Sequence, residues 1–370
     1  MKKYDVAAYI WPAYTGKEPR AYQFWDKKEG EWQTVKTATA KYEGHQWPRK
    51  PLWGYVDEAD PEVMEMQIKE AVSHGVNVFI YDWYWYDNRP FLEQCLNDGF
   101  LKAKNTLDMK FCIMWANHDA NSSWDKRISD YRPFVKIWDG RVDFEQFKTV
   151  VNRIIENYFK KENYYKLGNK PVFMVYHKDN LISGLGGVEG TKKAIKYFRE
   201  QVKAAGFDDL HLVYILTEND KNLSGVDSQT GATPVNAIEE LGFDAATHYQ
   251  MAHFTPVNRD FAEIIPDCVK EWNKVSSTLK IPYYPHVSMG WDNNPRFYNL
   301  MPNVVKNNTP ENVEKVLREV KKFVDESNCE LPLITVNSWN EWTESSYLQP
   351  DDLYGYGYLD AFKKVFKDQK

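Results

Sequence analysis

Leu331-Pro332-Leu333-Ile334-Thr335-Val336-Asn337-Ser338-Trp339-Asn340-Glu341-Trp342-Thr343-Glu344 reads as a buried strand that breaks off into polar and aromatic residues. Its apolar run suits a strand covered on both faces, as in a parallel sheet. Seven comparable runs precede it: Val6–Trp11, Val76–Trp83, Lys110–Trp115, Pro171–Tyr176, His211–Leu216, Ala245–Tyr249 and Tyr283–Ser288. Helical patterns separate them at Pro61–His74, Phe91–Lys104, Phe144–Lys160, Thr191–Ala205, Pro234–Leu241, Arg259–Lys280 and Glu311–Ser327, and a last one follows at Tyr358–Lys367. Strict alternation means parallel strands joined by helical crossovers. Eight such units favour a closed barrel over an open doubly wound sheet. The expected fold is therefore α/β, a single (β/α)8 TIM barrel spanning 1–370. Its longest loops are expected at Pro12–Asp60, Asn117–Asp143 and Glu218–Thr233, with no Pro/Gly/Ser-rich linker between domains.

Composition agrees with an ordinary globular chain. Of 370 residues, 43% are hydrophobic and 27% charged, and a chain of this length buries a sizeable core. The net charge of -6 comes from 47 basic and 53 acidic residues, well mixed, so no basic face points to nucleic acid. Aromatic residues reach 15%, with 14 Trp and 24 Tyr. Bulky core fillers account for part of that excess; Trp at this density also suits sugar binding, because flat rings stack on the apolar C–H faces of pyranoses. Cys95, Cys112, Cys268 and Cys329 form no CxxC pair and read as free buried thiols. No apolar stretch is long enough for a membrane span. The start at Met1 has no signal-peptide core, so the expected location is cytoplasmic, or periplasmic or secreted if a leader was trimmed.

Barrel active sites form at the C-terminal strand ends. Those ends are polar and aromatic in strand after strand: Tyr81-Asp82-Trp83-Tyr84-Trp85, Trp115-Ala116-Asn117-His118-Asp119, Tyr176-His177-Lys178, His248-Tyr249-Gln250 and Met289-Gly290-Trp291-Asp292-Asn293. The eighth carries Glu341 and Glu344. Cleaving a glycosidic bond takes two carboxyl groups in different protonation states, so this pair is the expected catalytic pair. The plainer reading makes them loop acids, one of them paired with Arg296. Expected substrate contacts are Asp82, Trp83, Trp85, Trp115, Asn117, His118, Tyr176, His248, Tyr249, Trp291, Asp292, Asn340 and Trp342. Each also has a structural reading, as a core ring or a tie between strand ends.

Other chemistries find less support. No HxxH or HExxH pair suggests zinc, and no GxSxG elbow or phosphate-cradling glycine loop occurs. Asp-x-Asp, by which many sugar-nucleotide transferases hold a divalent metal, is absent. No metal and no cofactor are expected; the expected partner is a polysaccharide or oligosaccharide.

Taken together, the strand-two segment, Cys112-Ile113-Met114-Trp115-Ala116-Asn117, Asn169-Lys170-Pro171-Val172-Phe173, Gly290-Trp291-Asp292-Asn293 and Trp339-Asn340-Glu341-Trp342-Thr343-Glu344 resemble the WbsX-like proteins, relatives of glycoside hydrolase family 99. The resemblance runs on through Tyr347-Leu348-Gln349-Pro350-Asp351 and covers nearly the whole chain. It implies a (β/α)8 barrel and a retaining α-glycosidase, expected to be endo-acting on a manno- or rhamno-configured polysaccharide. By carry-over, Glu344 is the general acid/base. Glu341 draws the proton from the sugar 2-hydroxyl, so that O2 attacks C1 and forms a 1,2-anhydro sugar. WbsX-like proteins are also labelled glycosyltransferases of polysaccharide assembly, and an inactive glycan-binding barrel is the third reading. Family 99 has His where Thr343 stands and Gly where Ser345 stands, and many WbsX-like proteins have Glu where Gln349 stands. These departures leave the substrate open.

Overall fold

A computed structural model describes residues 4–220, 234–327 and 331–368. Eight parallel strands form the barrel: β1 (Asp5–Ile10), β2 (Val78–Tyr86), β3 (Lys110–Trp115), β4 (Lys170–Val175), β5 (His211–Leu216), β6 (Ala245–His248), β7 (His286–Ser288) and β8 (Leu333–Asn337). They pair in the spatial order β6-β5-β4-β3-β2-β1-β8-β7. The remaining seam, from β6 to the chain entering β7, closes at a bridge between Ala246 and Tyr283. There Ala246 N donates to Pro282 O at 3.0 Å and Tyr284 N to Ala246 O at 2.9 Å. Pro285 has no N–H to offer a ladder, which is why β7 begins only at His286 and not at Tyr283 as the sequence suggests.

Around the barrel lie α1 (Pro61–Ser73), α2 (Phe144–Ile154), α3 (Val188–Ala204), α4 (Pro234–Leu241), α5 (Phe261–Thr278), α6 (Pro310–Glu326) and α7 (Gly357–Phe366). Their starts follow from local chemistry. Asp60, Asp143, Asp260 and Thr309 each accept a backbone N–H of the first turn, and proline stands at the start of α1 and α6. On α6 the buried residues Val313, Val316, Leu317, Val320 and Val324 recur at helical spacing and face the sheet.

Two further expectations need correction. Phe91–Lys104 is not a regular helix but a π turn at Cys95–Gly99 followed by a 3-10 turn at Phe100–Lys102. Gly99 sits against the backbone of the first long loop, and a Cβ there would stand 2.1 Å from the carbonyl oxygen of Glu58. Packing against that loop thus overrides the helical periodicity. The second concerns β2, which continues past Trp83 to Tyr86 and folds back on Arg89–Phe91. The reversal falls on Asp87 and Asn88, with φ of 50° and 63°, the conformation of a type I′ hairpin turn. Cys95, Cys112 and Cys268 are free and buried. Cys329 and the part of the expected loop from 221 to 233 lie outside the described residues. Among the described residues no helix is long and apolar enough to cross a membrane.

Gly99→Ala should destabilise the fold by about 1–3 kcal/mol, because the added methyl has to displace main chain. Urea unfolding monitored by circular dichroism reads this; a midpoint equal to wild type would show that the contact is not tight.

Candidate active site

A cleft of about 630 Å³ opens at the C-terminal mouth of the barrel. Strand pleating decides what it contains, since successive side chains point to opposite faces. From β2, Asp82 and Tyr84 face the cleft; from β3 and its exit, Met114, Ala116 and His118 do. Tyr176 follows β4, Tyr249 follows β6 and Trp291 follows β7. Glu341 and Glu344 line the floor beyond β8, and Trp11 and Trp124 add walls from the first and third loops.

Arg296, from the loop after β7, organises the floor. Its Nη2 donates to Glu341 and its Nη1 to Glu344, both at 2.7 Å, and its Nε donates to Glu31 at 3.0 Å. Glu31 is fully buried and also accepts the indole N–H of Trp11 at 2.5 Å. Burial raises the proton affinity of Glu341 well above the usual carboxylate range, and the nearby Glu344 charge adds to it while Arg296 opposes it. Glu344 is raised as well, again chiefly by burial and against Arg296. The Glu344 side chain keeps 14% of its surface exposed, against 3% for Glu341, so it is the one more open to the cleft. The Arg296 guanidinium loses hydration on burial, yet its three carboxylates hold it firmly charged. Burial pushes His118 down to about 4, leaving a neutral imidazole at neutral pH. Among the described residues no three His, Cys, Asp or Glu side chains are grouped as a metal site.

Of the expected site residues, Glu341, Glu344, Asp82, His118, Tyr176, Tyr249 and Trp291 come together at the cleft. The others are placed elsewhere, each for a physical reason. Trp83 and Trp85 alternate with Asp82 and Tyr84 and so face the helices. Trp83 donates to Glu93 at 2.7 Å and Trp85 to Gln146 at 3.2 Å. Trp115 likewise points outward, packed on Trp83 and Phe147. Asn117 ties two strand ends together, donating to His177 O at 2.8 Å and accepting His177 N at 2.7 Å. His248 is buried against Phe254 and bonded to the Tyr283 hydroxyl at 2.9 Å. Asp292 turns away to His45 at 2.6 Å, in a smaller cavity behind Trp291. Asn340 clamps the N–H and carbonyl of Trp11 at 2.8 and 2.9 Å and reaches Glu58 at 2.8 Å. Trp342 is stacked on Tyr347 at 3.8 Å and donates to Gln349.

Tyr84, Trp11, Trp124 and Glu31 escape the sequence reading. Tyr84 was within reach, since it lies two residues beyond Asp82 on one strand. Glu31 and Trp124 sit in long loops, where no periodicity announces a direction. Arg296 was visible as a possible partner of one glutamate, but not as the partner of both.

Comparison with known proteins now adds the family. The family model described as glycosyltransferase WbsX matches residues 6–362. The chain belongs to the WbsX family. The uncharacterized protein WxcX of Xanthomonas campestris pv. campestris is 26% identical over 364 residues, which are 94% of this WbsX family chain and 47% of that protein. The chain thus spans about half the length of the curated relatives it matches. Among solved structures, a family 99 endo-α-mannosidase from Bacteroides thetaiotaomicron superposes with a TM-score of 0.60 at 15% identity, over 97% of this chain and 96% of that one. A glycoside hydrolase-like protein gives 0.61 at 16% identity, over 100% and 95%. At these identities the likeness shows a shared barrel fold.

Replacing Arg296 by Met removes the guanidinium that opposes protonation of the pair, so both glutamates should titrate at higher pH, by about one pH unit or more. ¹³C NMR of the glutamate carboxyls follows this without any substrate. Titration curves that coincide with wild type would remove Arg296 from its role.

Proposed function

We propose that this chain is a carbohydrate-active enzyme: a retaining α-glycoside hydrolase acting within a manno- or rhamno-configured polysaccharide, with residues 1–370 as one catalytic barrel. The observation that carries the reading is the pairing of Glu341 and Glu344 through a single guanidinium on the floor of an open, aromatic-walled cleft. Three carboxyl groups (Glu31, Glu341 and Glu344) converge there on one arginine, which favours retention of a proton within the Glu341–Glu344 pair. One acid and one base in the same cleft are what glycosidic cleavage requires.

In this mechanism the more open Glu344 protonates the glycosidic oxygen as the C1–O bond breaks. Glu341 takes the proton of the 2-hydroxyl, and O2 bonds to C1 from the opposite face. Glu341 is the deeper of the two. A sugar O2–H donated to it stabilises its ionised form, which leaves the pair's proton on Glu344. Glu344, now a carboxylate, next draws a proton from water, the water oxygen opens the 1,2-anhydro ring at C1, and O2 recovers its proton from Glu341. Two inversions give net retention. The 2-hydroxyl has to lie anti to the leaving group, as it does in α-mannosides and α-rhamnosides.

The description of the family as glycosyltransferases favours the alternative, transfer from a nucleotide sugar. The charges argue against it. Among the described residues lining the cleft, Arg296 is committed to three carboxylates and Lys136 is paired with Asp119 at 2.8 Å, which leaves no free cation for a diphosphate.

On a panel of α-linked manno- and rhamno-configured polysaccharides, Glu341→Gln and Glu344→Gln should each lose about 10²–10⁴-fold in turnover while staying folded. The first-formed product should keep the α configuration by NMR, and a 2-deoxy substrate should stay intact. Near wild-type turnover by either variant, or micromolar binding of a nucleotide sugar in calorimetry, would refute the hydrolase.

A further inference from the structure

Asp82 ends the barrel part of β2 at the cleft floor, and two features of its surroundings are unusual for a carboxylate. Only 4% of the residue is exposed, yet no cation among the described residues is paired with it, since the guanidinium of Arg296 is taken by Glu31, Glu341 and Glu344. Tyr9, Tyr84, Tyr176 and Tyr249 and the carboxyl groups of Glu341 and Glu344 are close enough to interact with it electrostatically. One oxygen, Oδ2, lies 2.9 Å from the Tyr249 hydroxyl. The other, Oδ1, is buried with no hydrogen-bond partner.

An ionised carboxylate with one buried oxygen unpaired is costly, and like charges nearby make it worse. A neutral acid relieves both problems. Its proton then belongs on Oδ2, the oxygen with a partner, and the bare Oδ1 is an uncharged carbonyl. The direction of the Tyr249 bond follows. An ionised Asp82 would draw the phenolic hydrogen onto itself and leave Tyr249 able only to accept. A neutral Asp82 fills the phenol oxygen with its own proton and frees the phenolic hydrogen. Burial, with the charges of the two glutamates adding to it, keeps Tyr249 itself un-ionised, and its half-buried side chain lines the cleft beside Tyr176.

We propose that Asp82 is a positioning residue that works as a neutral carboxylic acid, donating to the Tyr249 hydroxyl so that Tyr249 presents its own O–H to an acceptor oxygen of an uncharged sugar. This rests on the cleft being a sugar site, as proposed above. Burial also raises the proton affinity of Asp82 well above its ordinary range, against the Tyr249 hydrogen bond, which favours the ionised form, and with the Glu344 charge adding to it.

Infrared difference spectra between wild type and Asp82→Asn at pH 7 decide the protonation state with no glycan present. The carbonyl stretch of a protonated carboxyl group, lost in the variant, is the expected result; carboxylate bands alone would overturn the proposal. Activity tests the coupling, with an α-linked mannan and an α-linked rhamnan as probes. Asp82→Asn keeps a donor toward Tyr249 and should stay within about threefold of wild type. Asp82→Ala and Tyr249→Phe should each lose about 10–100-fold, and the double variant no more than either single one. An Asn variant as poor as the Ala variant, or losses that multiply, would overturn it. Should wild type cleave neither polymer, the hydrolase reading suffers, while the infrared result still decides the state of Asp82.

Discussion

The guanidinium of Arg296 holds together groups that come from three distant parts of the chain. Glu31 belongs to the first loop, Arg296 to the seventh, and Glu341 and Glu344 to the eighth. Removing charges from water costs several kcal/mol per ion, and attraction within the cluster offsets this only when the geometry is good and every donor is used. Here three of the guanidinium nitrogens each meet a carboxylate. The arrangement is a poor device for stability alone, since well-packed apolar side chains would serve as well. Its effect is on the chemistry of the floor: it holds two carboxyl groups side by side, each more willing to keep a proton than in water, with the balance set by one fixed positive charge.

Much of the architecture was legible because parallel barrel strands and their helices impose two strong periodicities on a sequence. The eight strands lie close to where the apolar runs place them, and the site lies at the ends where polar residues accumulate. The direction of individual side chains was legible too, but only by respecting the pleat. Asp82, Trp83 and Trp85 cannot all face one side of β2, and the structure sends the two tryptophans outward to Glu93 and Gln146. The same holds for Trp115 between Met114 and Ala116. In the segment after β8 no periodicity applies, and there the aromatic and amide residues serve as fasteners. Asn340 and Trp342 bracket Glu341 in sequence, yet each spends its hydrogen bonds on Trp11, Glu58 or Gln349. Glu31 was hidden for the opposite reason: nothing in a long loop marks which acid folds inward.

These fasteners also tie down the two ends of the first loop. Asn340 clamps both backbone groups of Trp11, and Glu58 collects side-chain amides from Gln67, Asn340 and Gln349. Burial lifts Glu58 to about 7, against the donors that favour its ionised form. The loop is thereby tied to the eighth strand end at several points, and the wall containing Trp11 is anchored to the cleft floor.

The seam between β1 and β8 sets an order in time. During synthesis the first strand, Trp11 and Glu31 emerge early, while β8 and both glutamates of the floor emerge some three hundred residues later in the same chain. Until β8 docks beside β1, the barrel is open and the early loop lacks the partners that pin it. A growing chain therefore has neither the carboxyl pair nor a finished wall, and whatever chemistry the cleft performs begins only when the last strand closes the ring.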